Sequence, residues 1–310
     1  EYTDPRKNVK RTSKGNANAP GARRSLKAEA FRPYIGRLVE VLGKQRLFRC
    51  TGRSTSGRRW ISHGNAGGGI RQYPALEGRE IEGGKDMKAL FVNGSPRKNW
   101  NTHKMLESAM EGAGEAGAET ELVHLYDSAF KGCVSCFACK VKNSRTNGLC
   151  AFRDPLTPTL EKARIADVIV IGSPVYLGCP TASARAFLER LMFPLLIYGI
   201  EERRVLKKTV PSAMIYTMNC SEGLAEQFHY PTLLGANTDA LERTFDYSET
   251  LCAYDTYQFS DYSRYEVTLF NEKDKARQRE EQFPKDLRSA RELGKRLVEK
   301  AASRAEPGAE

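Results

Sequence analysis

Four of the eight cysteines in this 310-residue chain lie close enough in sequence to bind one metal centre. They form a Cys-x-x-Cys-x-x-Cys pattern followed, after ten more residues, by a fourth thiol: Cys133, Cys136, Cys139 and Cys150. Such thiolates can hold a 4Fe-4S cluster or bind a structural zinc ion tetrahedrally; free or disulfide-forming thiols are the third interpretation. The remaining cysteines are scattered and are expected to be small buried side chains, namely Cys50, Cys179, Cys220 and Cys252.

A polar loop at residues 94–102, Gly-Ser-Pro-Arg-Lys-Asn-Trp-Asn-Thr, follows an apolar run and leads into a helix pattern. Hydroxyl and amide side chains, exposed backbone N–H groups and the positive end of a helix together make a cradle for a phosphate group. The loop lacks the Gly-Lys-Ser/Thr ending of a Walker loop. The alternative is a simple capped helix start, with Thr102 or Asn101 as the N-cap.

A second loop, at residues 172–180, reads Gly-Ser-Pro-Val-Tyr-Leu-Gly-Cys-Pro. Prolines and glycines restrict its shape, and the Tyr176 ring is available to a flat aromatic ligand; an ordinary strand-to-helix turn is the alternative. A Gly-x-Gly-x-x-Gly pattern at Gly112, Gly114 and Gly117 ends a helix instead of opening one. We interpret these three as C-cap and turn glycines without a ligand.

Alternating strand and helix patterns must position these loops. The hydrophobic periodicity predicts strands at residues 88–92, 119–125, 167–171, 209–216 and 251–257, and helices at 102–114, 156–166, 181–192 and 277–302. This alternation predicts a doubly wound α/β fold with a five-stranded parallel sheet. Ligands of such sheets bind beyond the carboxyl ends of the strands, at the switch point between the first and third strands. Both loops described above follow those two strands.

The net charge of +11 is concentrated in residues 1–86, which carry 19 Lys and Arg against 8 Asp and Glu. We expect a poorly structured basic extension at 1–86, a folded domain at 87–302 and a tail at 303–310. Residues 82–86 can be encoded by a stretch resembling a ribosome-binding site, so a native start at Met87 is a hypothesis. The charge distribution argues against nucleic acid as a partner. With neither a membrane span nor a signal peptide in the sequence, we expect a cytoplasmic protein.

The two loops and the cysteines between them resemble flavodoxin-like NAD(P)H-dependent FMN reductases, and most closely the iron-sulfur flavoproteins. The family's phosphate loop has glycine where this chain has Trp100. The tryptophan would be strained if that position needs a positive φ; alternatively, its indole lies over the cofactor or at a subunit contact. The resemblance implies an FMN phosphate site at Ser95, Arg97, Asn99, Asn101 and Thr102. It implies ribityl and isoalloxazine contacts at Pro174, Val175, Tyr176, Leu177 and Gly178, with further contacts in the loop at residues 217–219, at Met218 and Asn219. By the same resemblance, Cys133, Cys136, Cys139 and Cys150 are the ligands of a 4Fe-4S cluster.

Two functions are compatible with this resemblance. In one, the protein passes reducing equivalents from NAD(P)H through FMN to a quinone, a flavin or an iron-sulfur acceptor. In the other, an iron-sulfur flavoprotein carries electrons for ferredoxin-like partners. A homo-oligomer, dimer or tetramer, is implied, and the apolar residues 191–198 either form its interface or pack within one subunit. The four histidines form no ligand spacing, and the aromatic residues between 247 and 265 are expected to pack the last strand and an oligomer contact.

Overall fold

The computed structural model describes residues 87–142, 146, 148–199, 204–206 and 208–303. The expectations for residues 1–86 and 304–310, and for Cys50, lie outside this part of the chain. The described residues form six strands: β1 Lys88–Asn93, β2 Glu119–His124, β3 Val168–Tyr176, β4 Cys179–Pro180, β5 Ser212–Thr217 and β6 Ser248–Ala253.

Five of these strands form one parallel sheet in the order β2-β1-β3-β5-β6, and the short β4 pairs antiparallel with the end of β3. The predicted five-stranded parallel sheet is therefore confirmed. Chain order reverses between β1 and β3, so the switch point lies where the sequence analysis placed it. The central strands are buried along most of their length because helices cover both faces of the sheet.

The helices are α1 Asn101–Glu115, α2 Thr157–Ile165, α3 Ala182–Met192, α4 Glu222–Gln227, α5 Tyr230–Phe245, α6 Glu272–Glu281 and α7 Phe283–Ala302. Alternate residues of each strand face opposite sides of the sheet. One side packs Phe91, Val170 and Ile215 against α1 and α7. The other side packs Ile169, Ile171 and Met214 against α2, α3 and α5.

Several predicted boundaries were wrong. The third strand continues past Ile171 to Tyr176, and the last strand occupies Ser248–Ala253 instead of 251–257. Its first residues are polar because β6 is an edge strand, which hides the strand pattern. The predicted helix at 277–302 is two helices, with Pro284 in the first turn of the second, where proline is tolerated.

Two helices, α4 and α5, were missed. The 16-residue α5 contains a proline, a glycine and four Thr or Asn residues, all weak helix formers. Its buried face, including Leu234, Leu241 and Phe245, packs on the sheet. Tertiary packing therefore stabilises this helix where intrinsic propensity does not.

Helices α1 and α7 cross in close contact at two glycines. A Cβ atom at Gly112 would lie 1.9 Å from the backbone oxygen of Arg291, and one at Gly294 would lie 1.9 Å from the backbone oxygen of Ala109. Gly112 is thus a packing glycine inside α1 and not a C-cap, which corrects the sequence interpretation. Gly117, with φ of 92°, is a turn glycine as predicted.

The apolar segment at residues 191–198 lies mostly inside the subunit. Leu191, Pro194 and Leu195 are buried, whereas Tyr198 is exposed. Of the two interpretations of this segment, packing within one subunit accounts for most of its side chains. In the described part of the chain, none of the helices is both long and apolar enough to cross a membrane.

Candidate functional site

The loops after β1, β3 and β5 meet at the carboxyl edge of the sheet. The backbone N–H of Gly94 donates to the oxygen of Gly172 at 2.8 Å, and the hydroxyl of Thr181 donates to the oxygen of Gly94 at 2.7 Å. The hydroxyls of Thr102 and Thr217 are 2.7 Å apart. The fold therefore brings together the three segments that the sequence analysis selected.

The first of these loops is held by its own backbone and by Ser95. Ser95 is buried; its N–H donates to Asn93 Oδ1 at 2.8 Å, and its hydroxyl accepts from the N–H of Arg97 at 3.2 Å. The N-cap of α1 is Trp100, with no side-chain cap, so neither Asn101 nor Thr102 plays the capping role considered above. Without a capping side chain, the first N–H groups of α1 are suited to an anion.

The other proposed phosphate-loop residues differ in their partners. Arg97 donates to the oxygen of Gln258 at 2.6 Å, and the amide of Asn101 donates to the oxygen of Tyr257 at 2.8 Å. Asn99 is exposed. Sequence reasoning missed the contribution of residues 257–258, because a backbone oxygen leaves no signature in a sequence pattern.

Trp100 adopts an unstrained backbone conformation. Its φ is −115°, so this position does not need glycine and the expected strain is absent. The indole N–H donates to the oxygen of Tyr257 at 3.2 Å, and the guanidinium of Arg97 lies 5.1 Å from the ring centroid. The tryptophan thus ties the loop to the segment that follows β6.

The second loop is a β-hairpin, which the sequence interpretation did not foresee. Strand β3 carries Pro174, Val175 and Tyr176, and the chain returns through Cys179–Pro180. The two turn residues, Leu177 and Gly178, both have positive φ, 53° and 79°, as a two-residue type I′ hairpin requires. Leu177 is fully exposed although its side chain is apolar. Non-glycine residues with a positive φ have a strained backbone, and such strain is concentrated at functional sites.

The third loop is braced by a lysine that sequence reasoning missed. Met218 is buried, and its backbone oxygen accepts from the N–H of Thr256 at 2.9 Å. The ammonium group of Lys275, on α6, is also buried and contacts the backbone oxygen of Asn219 and the carboxylate of Asp255. Within the residues that the structure describes, Asn219 Oδ1 is buried without a hydrogen-bond partner. No feature of the sequence distinguishes Lys275 from the other charged residues of its helix.

Two histidines that are distant in sequence lie next to each other, close to Asn93 at the start of the first loop. The rings of His103 and His124 have centroids 5.3 Å apart. His124 Nδ1 lies 3.2 Å from the Asn93 amide, whose Oδ1 is used by Ser95 N–H. The amide nitrogen therefore faces His124, so His124 Nδ1 must be the unprotonated acceptor. Burial, and then the neighbouring His103, lower the pKa of His124 from its ordinary value of 6.5.

The four clustered cysteines line one small pocket beside α3. The other residues that line this pocket include Glu189, Arg190 and Phe193. Arg190 is buried and joins the two ends of the cysteine segment: its guanidinium donates to the oxygens of Lys131 at 3.0 Å and Phe152 at 2.6 Å. It also forms an ion pair of 2.5 Å with Asp154.

The segment between these cysteines has an unusual backbone. Ser135 and Phe137 both have positive φ, near 52° and 55°, which is costly for residues with side chains. The seven cysteines in the described ranges are all free thiols. Cys179 is exposed and Cys220 and Cys252 are partly exposed, so the expectation that the scattered cysteines are buried is wrong for these three.

These loops can be compared with known proteins. A family model described as NADPH-dependent FMN reductase matches residues 87–241, half of the chain. The chain belongs to this family. The match covers β1 through most of α5, including all three loops and the cysteine segment.

Curated relatives of this FMN reductase family member include two iron-sulfur flavoproteins. One from Archaeoglobus fulgidus is 39% identical over 104 residues, covering 34% of this chain and 48% of the relative. One from Methanocaldococcus jannaschii is 35% identical over 104 residues, covering 34% of this chain and 51% of the relative. The chain spans about half the length of the curated relatives it matches.

Among solved structures, an NAD(P)H:quinone oxidoreductase from Methanothermobacter marburgensis is similar in fold. Its TM-score is 0.50 at 16% identity, covering 68% of this chain and 99% of that chain. This likeness supports the flavodoxin-like α/β fold.

The residues of this family member fit an FMN group. The uncapped start of α1 and the buried Ser95 hydroxyl suit a phosphate. At the other end of the site, Asn219 Oδ1 is a buried acceptor for which the described residues supply no donor, and the pyrimidine edge of a flavin carries an N–H donor.

The cysteine segment does not have the arrangement that a single zinc ion requires. Tetrahedral zinc with Zn–S bonds of about 2.3 Å would bring its sulfurs within roughly 4 Å of one another. In the described ranges, no three Cys, His, Asp or Glu side chains converge in this way. The four thiols line one small pocket.

We expect FMN binding by the wild-type protein to weaken several-fold as the pH falls below about 6.5 and through the lowered pKa of His124. His124 is a base whose folded pKa is lowered, so its stabilising contribution is complete above about 6.5 and is lost as the pH falls through the lowered value. A protonated Nδ1 could no longer accept the hydrogen bond from the Asn93 amide nitrogen. The Asn93 side chain would then shift, which would weaken the hydrogen bond between its Oδ1 and the N–H of Ser95. Fluorescence titration of FMN measures the effect.

His124→Asn is the matched control for this prediction, because its Oδ1 can accept the same hydrogen bond but does not titrate. Both proteins retain the other titratable and charged groups that could contribute to the pH dependence, namely the FMN phosphate, His103, Glu107, Asp127 and Lys98. A smaller pH dependence in the variant is expected. Identical pH profiles for the two proteins would contradict the role of His124.

Proposed function

We propose that residues 87–302 form an FMN-binding domain and that the protein is an FMN-dependent oxidoreductase. It passes reducing equivalents from NAD(P)H to a small-molecule or redox-protein acceptor. The observation that carries this proposal is the meeting of three loops at the switch point of the sheet, next to the uncapped N-terminus of α1. Family membership supports the choice of FMN.

The chain's own residues bind and orient the cofactor. Ser95, Arg97, Asn99, Asn101 and Thr102, together with the first N–H groups of α1, hold the phosphate. The hairpin residues Pro174, Val175, Tyr176, Leu177 and Gly178, with Met218 and Asn219, contact the ribityl chain and ring. Bound FMN supplies the hydride and electron transfer chemistry. Lys275 and Trp100 keep the surrounding loops in place through their contacts with Asn219 and Tyr257.

The proposal is tested by comparing FMN with riboflavin, which lacks the phosphate. Asn99→Asp adds one negative charge to an exposed position of the phosphate loop without removing a buried contact. FMN affinity should fall about tenfold, or about 1.4 kcal/mol, whereas riboflavin affinity should not change. Equal losses for both flavins would place the phosphate elsewhere. Anaerobic bleaching of bound FMN by NADPH or NADH then tests the electron donor.

The second candidate is an iron-sulfur flavoprotein that carries single electrons between redox proteins. It is favoured by the four thiols around one pocket and by the names of the curated relatives. Cys133, Cys136, Cys139 and Cys150 would be the cluster ligands. Iron and acid-labile sulfide at about four of each per flavin, with slow bleaching by both nicotinamides, would favour the carrier.

The homo-oligomer stays a prediction. Exposed apolar side chains lie on the hairpin at Leu177 and beside it at Leu233, and such side chains commonly mark contact surfaces. Sedimentation of the purified protein distinguishes a dimer or tetramer from a monomer.

A further inference from the structure

A buried lysine contacts the loop after β5, one of the three loops of the proposed flavin site. The side chain of Lys275, near the start of α6, is 2% exposed, and its ammonium group contacts the backbone oxygen of Asn219 and the carboxylate of Asp255. Its nitrogen also lies 4.5 Å from the centre of the Phe270 ring. Burying a charge is costly, and lysine is rarely buried so completely. A methionine of similar size would fill the same space without that cost, which indicates a role for the charge itself.

The loop after β5 is held to the segment after β6 on both sides of Asn219. The backbone oxygen of Met218 accepts hydrogen bonds from the N–H and the hydroxyl of Thr256, at 2.9 and 3.1 Å. The backbone oxygen of Cys220 accepts from the N–H of Asp255 at 2.8 Å. The backbone is therefore fixed around a side chain whose Oδ1 is buried and has no donor among the described residues.

The charges of Lys275 and Asp255 act on the loop as well as on each other. Burial is the main cause that raises the pKa of the Cys220 thiol; of the two charges, Lys275 lowers this pKa and Asp255, to a smaller extent, raises it. The carboxylate is 27% exposed whereas the ammonium group is buried, so water screens the negative charge more than the positive one. Of this pair, the lysine therefore has the larger electrostatic effect on the loop.

We propose that Lys275 is a positioning residue of the flavin site: it holds Asn219 in place, and its charge favours the reduced form of bound FMN. This inference rests on the proposed function, because it requires the loop at residues 217–219 to contact the flavin ring. Lys275 and Asp255 lie outside residues 87–241, so family membership assigns neither residue this role.

The charge of the reduced cofactor gives the expected direction of the effect. Reduction adds two electrons and one proton to the flavin ring, and the ring then carries one negative charge near neutral pH. An ammonium group close to the ring stabilises that charge, and a carboxylate opposes it. Loss of Lys275 and loss of the Asp255 charge should therefore shift the potential of FMN in opposite directions.

Neutral substitutions separate the charges from the packing. Lys275→Met removes the positive charge and retains most of the side-chain volume. Asp255→Asn removes the negative charge and retains an oxygen acceptor for the lysine, and its φ of 54° is one that asparagine tolerates. The double variant leaves neither charge unpaired. Lys273→Met is the matched control, because Lys273 is exposed in the same helix.

The measurement is the midpoint potential of FMN in the holoprotein, by anaerobic titration with dithionite against a reference dye. Lys275→Met should lower the ratio of affinities for reduced over oxidised FMN about tenfold, which lowers the potential by about 30 mV. Asp255→Asn should raise that ratio about threefold, and Lys273→Met should change it by less than about twofold. A purely structural role of Lys275 would weaken the binding of both forms equally and leave the potential unchanged.

Unchanged potentials, shifts of the same sign in Lys275→Met and Asp255→Asn, or equal shifts in Lys275→Met and Lys273→Met would overturn the role of Lys275. If Lys275→Met does not retain FMN, the double variant is compared with Asp255→Asn, and equal potentials in those two have the same consequence.

Failure of the proposed function has a different signature, because dithionite reduces the cofactor without NAD(P)H. If FMN binds and shows the expected shifts but neither NADPH nor NADH bleaches it, the oxidoreductase proposal fails and the role of Lys275 stands. Normal bleaching with unchanged potentials overturns the role of Lys275 alone. A wild-type protein that binds no FMN overturns both.

Discussion

Replacing Arg190 with methionine is expected to lower the free energy of unfolding by about 3 kcal/mol and to abolish retention of the proposed 4Fe-4S cluster. The side chain is fully buried and joins both ends of the cysteine segment, through the oxygens of Lys131 and Phe152 and the carboxylate of Asp154. Removing only the cation leaves a poorly solvated carboxylate and two backbone acceptors without their donor.

The measurements are urea unfolding, and iron and sulfide content after anaerobic purification. Lys162→Met is the matched control, since it removes an exposed ion pair with Glu121 and should change the unfolding free energy by about 0.5 kcal/mol. Arg190→Met combined with Asp154→Asn removes both charges and should recover part of the lost stability. Arg190→Met with unchanged stability and full iron content would show that Arg190 does not organise this segment.

The Arg190 pair also has an expected pH dependence. Burial opposes ionisation of Asp154, but hydrogen bonds from Arg190 and from backbone N–H groups outweigh it and lower the pKa of Asp154. The stabilisation is therefore present above the ordinary Asp range and is lost as the pH falls through the lowered value. Acid unfolding of wild-type protein should be steeper than that of Arg190→Met.

Gly294→Ala is expected to destabilise the fold by about 3 kcal/mol, because its methyl group would lie 1.9 Å from the backbone oxygen of Ala109. Backbone on both sides of the contact must move apart, since no flexible side chain can yield. Helix α1 would shift with it, so FMN affinity should also fall. Urea unfolding and FMN titration measure the two effects.

Gly114→Ala is the matched control for the helix crossing. Gly114 lies in α1, the helix that α7 crosses at Gly294, and a Cβ atom at Gly114 would have no neighbouring atom within 4 Å. Because alanine is the better helix former, stability should rise by about 0.5 kcal/mol. If both variants had similar stabilities, the contact between α1 and α7 would not be as close as the structure shows.

The sequence alone determined the alternation of strands and helices and which loops share one edge of the sheet. Uninterrupted apolar runs such as residues 168–171 predict buried parallel strands, and the loops after the first and third strands must then meet at one edge. These are local patterns combined with a topological rule, so they need no knowledge of distant contacts.

Only the tertiary structure revealed the contacts between distant residues. The pairing of His103 with His124, the burial of Lys275 and Arg190, and the close approach of Gly112 to α7 all depend on how helices cross the sheet. The helix α5 and the hairpin at Leu177 were missed for the same reason. Their residues disfavour the conformations they adopt, and long-range packing, absent from any local pattern, outweighs that preference.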